Sequence, residues 1–202
     1  TIRFDLSGTQ DFTNTGKAGY TISLTDRLPQ ITSAVTIDGY SQTDAQPNTQ
    51  VAPAPLNTIL LVEIDGSALT NVLPDQTPCV PLGSGADGSI INFLVIPNCG
   101  SDGIQLSEAN NVTITGNFIG TDPTGLIDQG NGRDNTGNCA GSGVGGYSSN
   151  HITVGGTSPE DRNVIAGNQC DDLFIGNESH SANPSSENII QGNYVGLGAD
   201  GL

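Results

Sequence analysis

Short runs of alternating apolar and polar residues recur along this chain, and each run is bounded by Gly, Asn or Asp. The fullest example is NVTITGNFIG at 111–120, and related copies follow as NVIAGN at 163–168 and NIIQGNYVG at 188–196. Short β-branched runs between turn residues are typical of strands with a turn at each end. No stretch keeps apolar residues at helical spacing, so we expect few helices.

The first copy predicts how its side chains are arranged. A period of two places Val112 and Ile114 on an inward face and Thr113 and Thr115 on the outward face. The Gly-Asn pair that follows predicts a corner, because Gly accepts positive φ and Asn tolerates the left-handed region. If such copies stack, Asn amides lie over one another and form hydrogen-bonded ladders.

The copies recur at a regular distance, which predicts a stack of similar units. VTIDG at 35–39 and VEIDG at 62–66 match at four of five positions. A step of about 23 to 27 residues then connects four isoleucines as one ladder: Ile37, Ile64, Ile91 and Ile114. Stacked units of this length bury a continuous inward row that one unit cannot bury alone, and their strands pair in parallel.

The predicted fold class is an all-β solenoid, a parallel β-helix with an N-terminal capping segment. Residues 1–34 hold alternating apolar residues without a Gly-Asn corner, so we expect them to cover the first end of the stack. Residues 35–202 then form the β-helix coils. Loop insertions are predicted near 41–57, 122–143 and 177–188, where Pro, Gly and polar residues collect.

Composition and charge narrow the class of partner. Aromatic residues are 4% of the chain and Trp is absent, so the core must consist mainly of Ile, Val and Leu. The net charge of −16 repels phosphate backbones, which argues against nucleic acid, and it repels anionic glycans unless a cation bridges them. No apolar run approaches the length of a membrane span.

The four cysteines favour disulfides and an exported protein. Their spacing fits no zinc signature, and an even number in an acidic chain rich in Gly and Asn is typical of secreted domains. Pairing Cys79 with Cys99 and Cys139 with Cys170 is the simplest arrangement. Three connectivities remain open on the sequence alone.

Several motifs in order resemble a known repeat. They are VTIDGYSQ (35–42), GSDGIQL (100–106), ITGNFIGTDPTG (114–125), VGGTSPEDRNVIAGN (154–168) and IIQGNYVGLGADG (189–201). Together they resemble the right-handed parallel β-helix repeat module of very large bacterial and archaeal extracellular surface proteins, from about Ile2 to Gly201. The resemblance implies a right-handed β-helix and an exported structural or adhesive role, and it supplies no reaction.

An enzymatic alternative depends on three carboxylates. Asp102 in GSDG and Asp171 and Asp172 in QCDDLFIG each precede a predicted inward strand, so they could lie on one face two coils apart. Glycoside hydrolysis needs such paired carboxyls. The likeness to the polygalacturonase pattern stops there, because its Gly-His-Gly and Arg-Ile-Lys motifs are missing. A lyase would also need basic residues, and the chain has five.

Two further kinds of site are candidates. The oxygen-rich loop DQGNGRDN at 128–135 could hold a structural calcium ion through Asp128 and Asp134, the alternative being ordinary turn formation. No other cofactor is predicted. Of the two Asn-x-Ser/Thr sequons, Asn177 in a predicted loop is the more accessible glycosylation site, whereas Asn111 is expected within a packed repeat strand.

The sequence therefore predicts a non-catalytic structural or adhesive module, extracellular or on the cell surface. An uncovered stack end offers free strand edges, so the expected partners are further copies of itself or other surface proteins joined end to end, and glycans. The alternatives are a polysaccharide-degrading hydrolase or lyase, and a non-catalytic glycan-binding module. Glycan binding usually needs exposed aromatic rings, and of the four tyrosines Tyr194 is expected to pack inside its strand.

Overall fold

The computed structural model describes residues 1–69, 77–132, 138–177 and 184–202. Seventeen strands lie in this part of the chain, and its helical elements are two three-residue 3₁₀ turns. The strands are β1 (Ile2–Arg3), β2 (Phe12–Asn14), β3 (Lys17–Ser23), β4 (Thr36–Asp38), β5 (Val62–Asp65), β6 (Val80–Leu82), β7 (Ile90–Asn92), β8 (Val95–Ile96), β9 (Ile104–Ser107), β10 (Thr113–Thr115), β11 (Phe118–Ile119), β12 (Val144–Tyr147), β13 (Thr153–Gly155), β14 (Val164–Ile165), β15 (Leu173–Gly176), β16 (Ile189–Gln191) and β17 (Tyr194–Val195). The prediction of an all-β chain with few helices is confirmed.

The strands form three sheets in which parallel pairing predominates. The first sheet has the order β1-β4-β7-β10-β13-β16, and the third sheet has the order β15-β12-β9-β6. The second sheet has the order β17-β14-β11-β8-β5-β3-β2. Its strands also pair in parallel, except that β2 pairs antiparallel with β3.

The chain visits the three sheets in rotation. From β7 onward each strand of the first sheet is followed by one of the second and then one of the third. We call one such passage a circuit. Neighbours within each sheet come from successive circuits, so β7, β10, β13 and β16 lie side by side although about 20 to 40 residues separate them.

The inward rows are continuous from circuit to circuit and make up the main core. In the first sheet Ile91, Ile114 and Val154 are register neighbours and are fully buried. Equivalent rows of Ile, Val and Leu from the other two sheets join the same core cluster. Thr113 and Thr115 remain partly exposed on the outer face, as the alternation predicts.

One part of the predicted ladder is wrong. Ile37 pairs with Ile91, whereas Ile64 lies in β5 of the second sheet and pairs with Ile22. VTIDG and VEIDG therefore occupy two sides of one circuit. The sequence confuses them because each sheet needs the same inward β-branched residue followed by a turn, so the pattern does not say which sheet a strand joins.

The corner between the first and second sheets carries a ladder of asparagine amides, as the sequence predicts. Asn117 donates through its backbone N (2.8 Å) and its Nδ2 (3.1 Å) to Asn163 Oδ1, and Asn163 Nδ2 donates to Asn193 Oδ1 (2.9 Å). Asn117 and Asn163 are fully buried. Gly116 and Gly192, with φ of +68° and +73°, make the turn before the amides at both ends of this ladder.

The other two corners have polar ladders of the same kind. Between the second and third sheets, Asn131 Nδ2 donates to Asn168 Oδ1 (2.9 Å), and Asn168 Nδ2 donates to Asp172 Oδ1 (3.0 Å). Between the third and first sheets, the backbone N of Asn150 donates to Asn110 Oδ1 (2.9 Å). At each corner a backbone N–H thus bonds to a side-chain amide from the adjacent circuit, although the corner between the third and first sheets is only partly buried.

Residues 1–34 form a first circuit and also cover one sheet edge. β1 pairs with β4, β3 pairs with β5, and Ile31 forms a parallel bridge to Leu82. The antiparallel strand β2 then lies along the outer edge of β3. The covering role thus belongs to one hairpin, whereas the rest of the segment continues the parallel sheets.

The loop predicted near 41–57 contains no strand after its first 3₁₀ turn and lies along the outer face of the second sheet. We call residues 46–60 the strap; its ends meet in an antiparallel bridge between Gln46 and Ile59. The backbone N of Leu56 donates to Ala199 O (2.7 Å). A second hydrophobic cluster lies beneath the strap. The buried members of that cluster are Leu60, Val95, Phe118, Val164, Tyr194 and Ala199.

Two disulfides join cysteines that are nearest neighbours in the chain. Cys79 pairs with Cys99, and Cys139 pairs with Cys170. The first pair is fully buried in the main core, whereas Cys139 is exposed and Cys170 half-buried. The two disulfides therefore differ strongly in solvent exposure.

The buried amide ladder makes Asn163→Ala destabilising. The change leaves the donors of Asn117 without their acceptor, and we expect the free energy of unfolding to fall by at least about 2 kcal/mol. Urea denaturation measures it. As a control, Asn57→Ala removes an exposed amide that bonds to Thr49 and should cost less than about 1 kcal/mol. Equal losses in the two variants would contradict the role of the ladder.

The different burial of the two disulfides predicts stepwise reduction. With a thiol reductant under native conditions we expect Cys139–Cys170 to open first, because the attacking thiolate must reach a sulfur atom. Cys79–Cys99 should open only when the protein unfolds. Alkylation of freed thiols followed by peptide mass spectrometry identifies the order, and simultaneous opening of both bridges would contradict it.

Candidate functional site

The outer face of the third sheet gathers most of the residues with candidate chemistry. One row across it contains Gln105, Gly145 and Phe174, and the next contains Tyr147 and Gly176. We call this surface the third-sheet face. Glycines alternate with aromatic residues in the two rows, so large side chains have room to lie against the sheet.

Two aromatic rings lie side by side on this face. The ring centroids of Tyr147 and Phe174 are 5.5 Å apart and their planes are tilted by 40°. The tip of the Phe174 ring lies over Gly176, where a Cβ would come within 2.5 Å of Phe174 Cζ. The rings border a shallow hollow of about 300 Å³ that Asp171 and Ser142 also line.

Asp102 lies beneath the aromatic pair and is closed off from solvent. Its side chain is 1% exposed. Its Oδ1 accepts from the backbone N of Ser142 (2.7 Å) and from the Tyr147 hydroxyl (3.4 Å), and its Oδ2 accepts from Gln105 Nε2 (3.2 Å). Burial raises the pKa of this carboxyl, and the three hydrogen bonds oppose the shift.

The other two candidate carboxylates have different surroundings. Asp171 and Asp172 precede β15, and Asp102 precedes β9, two strands away at the same edge of the sheet. Asp171 lines the aromatic hollow, whereas Asp172 accepts from Asn168 in the corner ladder. The three carboxylates thus share an edge, as the sequence predicts, but they do not converge on one open point.

A second hollow lies further along the same sheet. It measures about 400 Å³ and is lined by Arg27, Pro29, Pro81 and Gln105 among others. Gln105 links the two hollows, because it lines this one and donates to Asp102 beneath the other. The two hollows therefore lie on the same sheet, with Gln105 of β9 between them.

Acidic residues also collect outside the second sheet. Glu63 is 9% exposed and accepts from Thr21 Oγ1 (2.6 Å). Burial raises its pKa against that hydrogen bond, and the nearby carboxylates of Asp65, Asp122 and Asp11 raise it further. In the described ranges no three His, Cys, Asp or Glu side chains group as metal ligands.

The predicted calcium and glycosylation sites are only partly visible. Asp128 Oδ1 accepts from the backbone N of Gly130 (2.9 Å), which is ordinary turn geometry. Asp134 lies outside the described residues, so calcium binding here stays a prediction. Asn177 is exposed, and so is Asn111, which stands at a corner with φ of +56° rather than inside its strand.

No family model, no curated protein and no solved structure matches this chain. Over the part of the chain that is described, no helix has the length and apolar character needed to cross a bilayer.

The sequence directed attention to carboxylates and missed the aromatic pair. Tyr147 and Phe174 come from different circuits and meet only through the register of β12 and β15. A local signal did exist, because GVGGY and LFIG each place an aromatic residue two positions from a glycine on the same strand face. Such spacing marks rings that can lie flat on a sheet.

The raised pKa of Asp102 predicts a pH-dependent stability. The folded protein holds this proton more tightly than the unfolded chain, so stability falls as the pH rises from the ordinary Asp pKa through the raised one. Asp102→Asn removes this contribution. From about pH 3 to about pH 8, we expect the wild type to lose stability relative to this variant.

Urea denaturation at several pH values measures the difference between the two proteins. Glu63 also has a raised pKa, but both proteins contain it. Its contribution to the pH dependence of stability therefore cancels in the difference. Asp171→Asn is the control because it alters an exposed carboxylate at the same edge, and it should change stability little. A constant difference between wild type and Asp102→Asn across the range would show that the folded and unfolded states hold this proton equally well.

Proposed function

We propose that the chain is a right-handed parallel β-helix that serves as a non-catalytic structural or adhesive module outside the cell, and that it associates end to end. The rotation of the chain through three sheets supports the β-helix, because each circuit then lies directly on the one before. The polar ladders at all three corners support it as well.

Two disulfides support an extracellular setting. Disulfides persist in oxidising compartments and are rare in the cytosol. All four cysteines of the chain take part in them. The net charge of −16 adds to this case, because a strongly acidic surface stays hydrated in a crowded extracellular matrix.

A non-catalytic role fits the state of the candidate carboxylates. Asp102 is covered by Tyr147 and Gln105, so its carboxyl does not reach a substrate on the third-sheet face. Asp172 is engaged in the corner ladder. Glycoside hydrolysis by a carboxylate pair needs two carboxyls that both reach the reacting bond.

The observation that carries end-to-end association is the exposure of the last inward row. Val154 and Ile165 are fully buried. Their register neighbours Ile190 and Val195 lie in the sixth circuit, which consists of β16 and β17, and they are 48% and 46% exposed. At the opposite end of the first sheet Ile2 is 47% exposed. A head-to-tail contact would place Ile190 of one copy over Ile2 of the next and pair β16 with β1.

Charge favours a head-to-tail contact over a tail-to-tail one. Three of the five basic residues, Arg3, Lys17 and Arg27, lie in the first circuit and balance the acidic residues there. Residues 187–202, which include the sixth circuit, contain two acidic residues, Glu187 and Asp200, and no basic one. Two sixth circuits would therefore repel each other, whereas a sixth circuit against a first circuit does not suffer this repulsion.

Sedimentation equilibrium over a wide concentration range tests the association. We expect the mean mass of the wild type to rise with concentration. Ile190→Lys should hold the protein as a monomer, because it places a charge in the contact. Ile90→Lys is the control, since it adds the same charge on the outer face of β7, in the middle of the first sheet, at a residue that is 36% exposed.

Each result decides the proposal. A wild type that stays monomeric at every concentration contradicts it. So does association that Ile190→Lys and Ile90→Lys weaken equally, because that result reflects net charge rather than the sixth circuit. Elongated particles in electron micrographs that disappear in Ile190→Lys alone would support it.

A further inference from the structure

The third-sheet face has the features of a ligand surface, and the structural role proposed above does not use them. We propose that it binds a neutral oligosaccharide, which stacks on the rings of Phe174 and Tyr147 and bonds through its hydroxyls to Asp171 and Gln105. This inference is independent of end-to-end association.

The first argument is the orientation of the Phe174 ring. Its tip lies over Gly176, so the ring lies along the strand instead of projecting from the sheet. Phe174 is 36% exposed. The C–H bonds on one side of a pyranose carry weak positive charge, and the negative face of an aromatic ring attracts them.

The second argument is that the neighbouring ring is fixed in place. The hydroxyl of Tyr147 donates to Asp102 Oδ1 (3.4 Å), and its ring contacts Phe174. The Asp102 carboxyl fills the space where a side chain at Gly145 would stand, within 2.7 Å of an added Cβ. Because Tyr147 is already held by Asp102 and Phe174, its side chain loses little conformational entropy when a ligand covers it.

The polar groups on this face suit hydroxyls. Asp171 is an exposed carboxylate beside the rings, and Gln105 uses its Nε2 toward Asp102, so its carbonyl oxygen remains an acceptor. Sugar hydroxyls donate to such groups. A carboxylated or sulfated sugar would meet Asp171 and a net charge of −16, so the preferred ligand is neutral.

The length of the surface points to a chain of sugars. The hollow at Phe174 and the hollow at Arg27 lie on strands β15 to β6 of one sheet, with Gln105 between them. Three strand spacings cover about 14 Å. A linear oligosaccharide that crosses the strands can contact both hollows, whereas a monosaccharide contacts one.

Isothermal titration calorimetry with defined hexasaccharides tests the proposal. The neutral probes are cellohexaose, xylohexaose, mannohexaose and maltohexaose, and hexagalacturonate is the anionic comparison. We expect at least one neutral probe to bind, and its affinity to fall about tenfold or more in Phe174→Ala. Phe174→Leu should lose a similar amount, because it keeps the bulk and removes the ring.

The chain provides a matched control for the aromatic pair. Tyr40 and Phe93 also form a tilted pair, at 5.1 Å, and Tyr40 is 48% exposed. Tyr40→Ala should leave the affinity unchanged, and the unfolding transition of each variant checks that it remains folded. The proposal fails if no neutral probe binds, if hexagalacturonate binds more tightly, or if Tyr40→Ala weakens binding as much as Phe174→Ala.

Discussion

The architecture depends on side-chain amides that complete the hydrogen bonds of buried corners. At each corner the backbone leaves one sheet for the next and loses its ladder partners, and a buried unpaired group there is costly. Asn117, Asn163 and Asn193 solve this between the first and second sheets, because each amide bonds both to an adjacent circuit and to the backbone. The corners therefore fix which residues of successive circuits lie next to one another, and this register allows the three sheets to share one core.

Much of this could be predicted from local pattern, and the remainder required long-range contacts. Alternation gave the inward rows, and Gly-Asn gave the corner and its amide ladder. The assignment of Ile64 was wrong because strands of the first and second sheets obey the same local rule. The packing of the strap on the second sheet was not predictable, because its partners lie far along the chain, as in the bond from the Tyr194 hydroxyl to Ala54 O, and no periodicity indicates such a contact.

The candidate site also has features that local sequence predicted and features that required long-range contacts. Residue type was enough to select Asp102, Asp171 and Asp172, and strand order was enough to place them at one edge. Their different environments were not predictable, because burial of Asp102 depends on Tyr147 and Gln105 from two circuits. Phe174 escaped notice for a related reason: an aromatic residue in an alternating strand is assigned to the core unless the register shows that it faces out.

The strap has a consequence for how the molecule comes apart. In a stack whose layers touch only their neighbours, the ends can fray one layer at a time. The strap leaves the second circuit and bonds to Arg162 through Gln50 O (3.0 Å) and to Ala199 through Leu56, in the fifth and sixth circuits. Loss of the last layers thus also strips contacts from an early one. The strap therefore couples the unfolding of the second circuit to that of the last two, beyond the coupling between adjacent circuits.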